Sequence, residues 1–298
     1  MNTMARTQDP PLPPRQSDIA AAIIGDAVPP IRDEPPFLVT KEHRRFVEFA
    51  DAVRRNRYIG VCYGPPGIGK TLSARTYSGS ADWDQWFCDR YLKDPTIPAI
   101  VDTARTAMWT PKITTTPKEL DHAIPALCQQ VSWAIECHNN PDYDPLAYSD
   151  GRGCGYTELL IIDEADRLKT TGLEQLRDFF DRHHLGLMLI GMPGLERRLE
   201  RYPQLYSRIG FAHQYRPLGA GELTFVLERH WNQLGLALNA DDFTDNEAIA
   251  AVARITGGNF RLIQRLFGQV QRILEINDLH TITSEVIDAA RETLVIGT

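Results

Sequence analysis

No run of roughly twenty apolar residues, the length a membrane-spanning helix requires, occurs in this chain. Its N-terminus also lacks the apolar core of a secretory signal. The expected location is therefore the cytoplasm, with no membrane partner. Cysteine is sparse and scattered: Cys62, Cys88, Cys128, Cys137 and Cys154 show no Cys-x-x-Cys spacing, so neither a zinc module nor a disulfide framework is indicated. Cys62, inside an apolar stretch, is expected to be a buried strand residue. Positive charge is not in excess either. With 32 Lys and Arg against 39 Asp and Glu the formal charge is −7, which argues against wholesale coating of nucleic acid. A local basic surface remains possible, because a repeated subunit can line a pore with a few side chains each. Arginine is concentrated at Arg44, Arg45, Arg54, Arg55 and Arg57, and again at Arg197, Arg198, Arg201 and Arg208; the plain reading of the first group is a solvated helix face. Internal repeats are absent, which argues against a solenoid.

What the chain does have is a complete phosphate-binding loop. Gly64-Pro65-Pro66-Gly67-Ile68-Gly69-Lys70-Thr71 follows the short apolar run Tyr58–Tyr63 and precedes an expected helix, the strand–loop–helix order the chemistry needs. Glycines let successive N–H groups converge on phosphate oxygens. Lys70 is placed to reach the β- and γ-phosphates and Thr71 to put its hydroxyl on Mg²⁺; Leu72 completes the expected nucleotide-contacting set. Further on, Leu159-Leu160-Ile161-Ile162-Asp163-Glu164-Ala165-Asp166 reads as a buried parallel strand ending in carboxylates. Asp163 would then hold Mg²⁺ through water and Glu164 would polarise the water that attacks the γ-phosphate. The plain alternative is a strand stop followed by an acidic helix start.

At 298 residues and 43% apolar content the chain is long enough for a full α/β core and a smaller second domain. Residues 1–36, with Pro10-Pro11-Leu12-Pro13-Pro14 and Pro29-Pro30, read as a flexible proline-rich arm. Thr40 is an expected N-cap for a helix over 41–55. Ile97–Asp102 is an expected second strand, followed by a loop over Thr103–Thr116 whose cations and hydroxyls suit DNA phosphates. A helix is expected from about Pro117, and 138–156 reads as a polar surface excursion. Leu173–His183 is an expected amphipathic helix, Leu185–Gly191 a buried strand, and Pro193 a helix opener. After Phe211 only helices are expected, over about 220–237, 242–254, 259–276 and 283–293. The resulting division is an α/β nucleotide-binding domain over 37–215 and a helical lid over 216–298. Arg208, in Tyr206-Ser207-Arg208-Ile209-Gly210, is a candidate to contact a neighbouring subunit's γ-phosphate; Arg261, in Thr256-Gly257-Gly258-Asn259-Phe260-Arg261, is a candidate to reach phosphates in cis. Ordinary solvated arginines are the alternative at both places.

The order of these motifs resembles an AAA+ ATPase over essentially everything from residue 40 onward. Within that superfamily, Ile162–Leu168, Leu189–Leu195 and Gln204–Arg208 resemble the transposition regulators of the TnsC, TniB and MuB group. The resemblance implies an α/β P-loop core with a parallel sheet flanked by helices, plus a C-terminal all-helical lid. It makes Asp163 and Glu164 the Walker B pair, Arg208 the arginine finger and Arg261 sensor 2, with ATP and Mg²⁺ as cofactors. It implies a homo-oligomer, a ring or helical filament of six or seven subunits per turn, on double-stranded DNA. Such an assembly recruits a transposase to a site chosen by a target-selection factor, and slow, regulatory ATP hydrolysis ends it. The DNA-contacting loops would correspond to Arg105–Thr116, with Arg105, Lys112 and Thr114 as candidate contacts. One departure stands out: Met192 lies near the sensor 1 place, where Asn or Thr is common. An AAA+ ATPase of another assembly, secretion-associated or a replication loader, and a nucleotide-held structural adaptor with negligible hydrolysis are the alternatives.

Overall fold

The computed structural model describes residues 37–80, 100–140, 155–239 and 241–294. The proline-rich arm and most of the 138–156 excursion lie outside the described residues, as do Cys88 and Cys154. From Leu38 onward the chain forms one compact unit.

Five strands pair in parallel: β1 Ile59–Tyr63, β2 Thr106–Trp109, β3 Leu159–Ile162, β4 Gly186–Gly191 and β5 Ile209–Gln214, in the order β2-β3-β4-β1-β5. A parallel sheet must be covered on both faces, and the alternation of side chains along each strand shows how. Ile59, Val61, Leu160, Ile162, Leu187 and Leu189 face one way, onto Leu120, Ile124 and Val131 of α4 (Pro117–Asn139) and Leu173, Leu176 and Phe179 of α5 (Thr170–His183). Cys62, Leu159, Ile161, Met188 and Ile190 face the other way, onto Phe46, Phe49 and Val53 of α1 (Lys41–Asn56) and Ala74 of α2 (Lys70–Ser78). Each fully buried side chain of this size contributes about 2 kcal/mol. β3 and β4 are buried along their whole length, hence their uninterrupted apolar sequence.

Local signals set the helix starts. Thr40 Oγ1 accepts the His43 N–H at 3.1 Å and begins α1. Thr116 and Glu119 form a reciprocal capping box at α4, with Pro117 in its first turn. The second strand, however, is displaced from its expected place. Ile100–Ala104 is a short helix, α3, and the strand is Thr106–Trp109; residues 97–99 lie outside the described set. Arg105, at φ +39°, separates the two. An apolar run as short as Ile97–Val101 carries no periodicity that tells strand from helix. Pairing with β3 decides the matter, Thr106 beside Leu159 through Trp109 beside Ile162.

Beyond β5, α8 (Ala220–Gln233), α9 (Phe243–Thr256), α10 (Phe260–Asn277) and α11 (Ser284–Glu292) enclose their own core around Trp231, Leu227, Leu266 and Val270. Asp242, Asn259 and Thr283 cap α9, α10 and α11. Between β4 and β5 lie two short helices, α6 (Leu195–Leu199) and α7 (Pro203–Tyr206). Among the described residues no helix is long and apolar enough to cross a membrane.

Candidate active site

The phosphate loop leaves the C-terminal end of β1, which lies between β4 and β5, on the side of the sheet where open α/β folds bind ligands. Gly64 donates its N–H to Gly191 O at 3.3 Å, fastening the loop to the end of β4. A Cβ on Gly64 would stand 2.5 Å from Tyr215 O, so no larger residue fits without moving backbone. Gly67 and Gly69 have φ of +78° and +103°, the left-handed region that favours glycine. Ile68 buries its side chain in the core below and anchors the loop from beneath. Gly69 is the N-cap of α2 and offers no side chain to the helix, which leaves the first-turn N–H groups for an anion.

Lys70 is buried and donates through Nζ to Gly64 O at 2.6 Å and to Pro65 O at 2.7 Å. Burial pulls its ammonium below the ordinary lysine value, while the nearby Asp163 and Asp166 favour its charge. Asp163 ends β3, only 3% exposed, and accepts hydrogen bonds from the Thr71 side chain and, at 2.9 Å, from the Glu164 N–H. Burial pushes its carboxyl above the ordinary carboxylate value, and those two hydrogen bonds pull the other way. A hydroxyl and a buried carboxylate side by side are hard oxygen donors that suit Mg²⁺. No group of three or more His, Cys, Asp or Glu able to hold a metal occurs among the described residues.

Glu164 is exposed, at φ +50°, and its carboxylate pairs with Arg167. Arg167 in turn donates to Pro111 O at 2.9 Å, in the loop beyond β2. Met192 follows β4 directly; its N–H donates to Asp166 Oδ2 at 2.6 Å and its side chain is 41% exposed. Met192 itself thus brings no polar side chain to that point of the rim, where the carboxylate of Asp166 stands instead. Leu72 is half exposed on the first turn of α2.

Arg208 lies at the other end of the sheet. It immediately precedes β5, and its carbonyl accepts the N–H of Ile59, the first residue of β1, at 3.1 Å. The five residues of β1, at about 3.3 Å each, put about 16 Å between Arg208 and the start of the phosphate loop, more than an arginine side chain spans. Its Nε donates to Asp181 Oδ1 at 2.6 Å, and it also contacts Gln204 O. Arg261, by contrast, sits on the loop. Its N–H donates to Gly67 O at 3.1 Å, and its charge is felt at Lys70.

The three candidate DNA contacts do not come together. Arg105 stands at the N-terminal end of β2, facing Glu158 at 3.4 Å, whereas Lys112 and Thr114 stand exposed beyond its C-terminal end. The expected loop over Thr103–Thr116 is thus divided by a strand, and only 110–116 remains a loop. Ile113, 80% exposed, is at its tip.

Four residues bearing on the site were not singled out by their sequence context. Ser73 Oγ contacts His43 Nδ1 at 3.0 Å and Tyr215 Oη at 2.7 Å, a buried set that fixes α2 beneath the loop. Asp166 holds the Met192 backbone, and Asn259 touches the loop from the lid through Pro66 O at 2.8 Å. The Ile-Ile-Asp-Glu-Ala-Asp run hints at Asp166, and Asn259 is visible as a helix cap. Nothing local marks Ser73 or Tyr215.

With this geometry, residues 53–199 match the family model described as AAA domain. The chain is 43% identical over 267 residues to the "Potential ATP-binding protein" of Staphylococcus aureus, covering 88% of this chain and 97% of that one. It belongs to the family of that protein. Among solved structures it is similar to the Thermotoga maritima RuvB Holliday junction branch migration motor, with a TM-score of 0.54 and 16% identity over 88% of this chain and 71% of that one. It is also similar to the Aeropyrum pernix ORC2 protein in its ADP form, with a TM-score of 0.52 and 16% identity over 88% and 71% of the two chains. At such identity the likeness is one of fold: this is an AAA+ α/β fold with a helical C-terminal region.

Proposed function

We propose that the chain is an ATP-gated AAA+ ATPase that oligomerises on duplex DNA as a transposition regulator and recruits a transposase to a site chosen by a target-selection factor. The observation that supports the gating most is the separation of its charged groups. Lys70, Thr71, Asp163 and Glu164 share one end of the sheet, and Arg208 lies about 16 Å away at the other. An arginine so placed serves a neighbour's nucleotide. In this reading 37–215 is the nucleotide-binding domain, 216–298 its lid and 1–36 a flexible arm.

Lys70 grips the β- and γ-phosphates, while Thr71 and Asp163 would hold Mg²⁺, which when bound would offset phosphate charge. Glu164 leaves Arg167 and accepts a proton from the water that attacks the γ-phosphate. Arg208 of the adjacent subunit steadies the charge that develops. Support for a DNA link comes from Arg167, which ties Glu164 to the loop bearing Lys112 and Thr114. The transposition assignment rests on the motif runs at Ile162–Leu168, Leu189–Leu195 and Gln204–Arg208. A structural adaptor with negligible hydrolysis is the second reading, favoured by Met192 at the rim.

Phosphate release, measured with and without duplex DNA beside imaging of the assembled particle, tests the proposal. Glu164→Gln is expected to keep ATP binding, slow release about 100-fold and prolong the DNA-bound oligomer. Disassembly at the wild-type rate in that variant contradicts the switch. Wild-type turnover that is negligible throughout selects the adaptor.

A further inference from the structure

The side chain of Asn259 joins the lid and the phosphate loop through both of its polar atoms. Its Oδ1 accepts the N–H groups of Arg261 at 3.1 Å and Leu262 at 3.3 Å, capping α10. Its Nδ2 donates to Pro66 O at 2.8 Å. The fit around it is close: a Cβ on Gly67 would stand 2.6 Å from Asn259 Oδ1 and 2.8 Å from Arg261 Cβ. The Arg261 N–H bonds to Gly67 O, so residues 66 and 67 carry the first turn of α10 directly. Ser, Thr and Asp cap a helix about as well as Asn, but only Asn adds an amide donor to the acceptor that caps. Thr40, Thr116, Asp242 and Thr283 perform the capping duty alone elsewhere.

We infer that Asn259 is the positioning residue that transmits the shape of the phosphate loop to Arg261, and so lets the site distinguish ATP from ADP. When the loop closes on a triphosphate, the carbonyl of Pro66 moves and Asn259 draws the start of α10 with it. Arg261 then meets the terminal phosphate, a contact that ADP does not offer. The discrimination arises from that difference in contacts between the two states. This inference rests on the nucleotide reading of the site and is independent of DNA or transposition.

The test compares affinities of the full chain for a non-hydrolysable ATP analogue and for ADP, both with Mg²⁺. Asn259→Ser keeps a capping oxygen and loses the amide; Asn259→Asp is a second variant that caps with a carboxylate. The wild type is expected to prefer the ATP analogue, and each variant to lose about fivefold of that preference, the effect of one hydrogen bond. Asn259→Ser combined with Arg261→Ala is expected to be no worse than Arg261→Ala alone, because the first acts through the second. Equal weakening toward both nucleotides, an unchanged preference, or simple addition of the two losses overturns the inference while the nucleotide site stands. A wild-type chain that binds neither nucleotide overturns the reading of the site itself and this inference with it.

Discussion

Asp163 is a carboxylate kept where a carboxylate is costly. Its burial favours the neutral form, and the hydrogen bonds from Thr71 and Glu164 offset only part of that. Because its folded pKa is raised above the unfolded one, the protonated form stabilises the nucleotide-free fold. That stability is present below the ordinary carboxylate value and is lost as pH rises through the raised one. Asp163→Asn removes the dependence. At neutral pH the nucleotide-free variant is expected to be more stable than wild type by about 1 kcal/mol, a common consequence of relieving a functional site. It is also expected to lose Mg²⁺-dependent nucleotide binding. Urea midpoints of both proteins across the acid range check this: the difference between them should grow with pH and then level. A variant less stable than wild type at every pH contradicts the picture of a functional strain at this position.

At the scale of elements, the turn before α10 is as constrained as the phosphate loop it touches. Gly258, at φ +77°, offers a Cβ only 2.4 Å from Leu218 O, and its own carbonyl accepts the Leu218 N–H at 3.1 Å. Gly258→Ala is expected to destabilise the lid by about 2 kcal/mol or more, from left-handed strain and the clash together. Gly221→Ala is the control, since a Cβ there meets nothing within 4 Å in the first turn of α8. It should be neutral or stabilise by about 0.5 kcal/mol. Equilibrium unfolding that ranks the two the other way contradicts the packing described. The same turn shows what a sequence reveals and what it withholds. Gly257-Gly258-Asn259 announces a helix start, and the cap is where the residues place it. That Gly258 leans on Leu218 and Asn259 on Pro66 depends on contacts across 40 and 193 residues of chain, which no local pattern encodes. The phosphate loop, β3 and β4 were legible because their chemistry or complete burial leaves a continuous signature. β2 was not, because four residues gain their strand identity from pairing with β3 rather than from their own alternation. Arg105 and Lys112 are near in sequence yet stand at opposite ends of that strand, and the surface they were expected to share is therefore split.

Over the whole molecule, the fold separates the groups proposed to bind the triphosphate from the group proposed to sense it. Arg208 is held through Nε by Asp181, which Arg177 also contacts at 2.9 Å, so its guanidinium is steadied at the start of β5 rather than left to wander. A mixing experiment addresses this arrangement most directly. Glu164→Gln subunits lack the proposed proton acceptor but still present Arg208; Arg208→Ala subunits keep an intact site but present nothing to their neighbour. Each variant alone is expected to release phosphate at a small fraction of the wild-type rate under assembly conditions. Mixed in equal amounts they should recover about a quarter of it, the share of interfaces that pair an intact site with an intact arginine. Full turnover by Arg208→Ala alone, or no recovery in a mixture that demonstrably co-assembles, would contradict sensing of the triphosphate by the adjacent subunit.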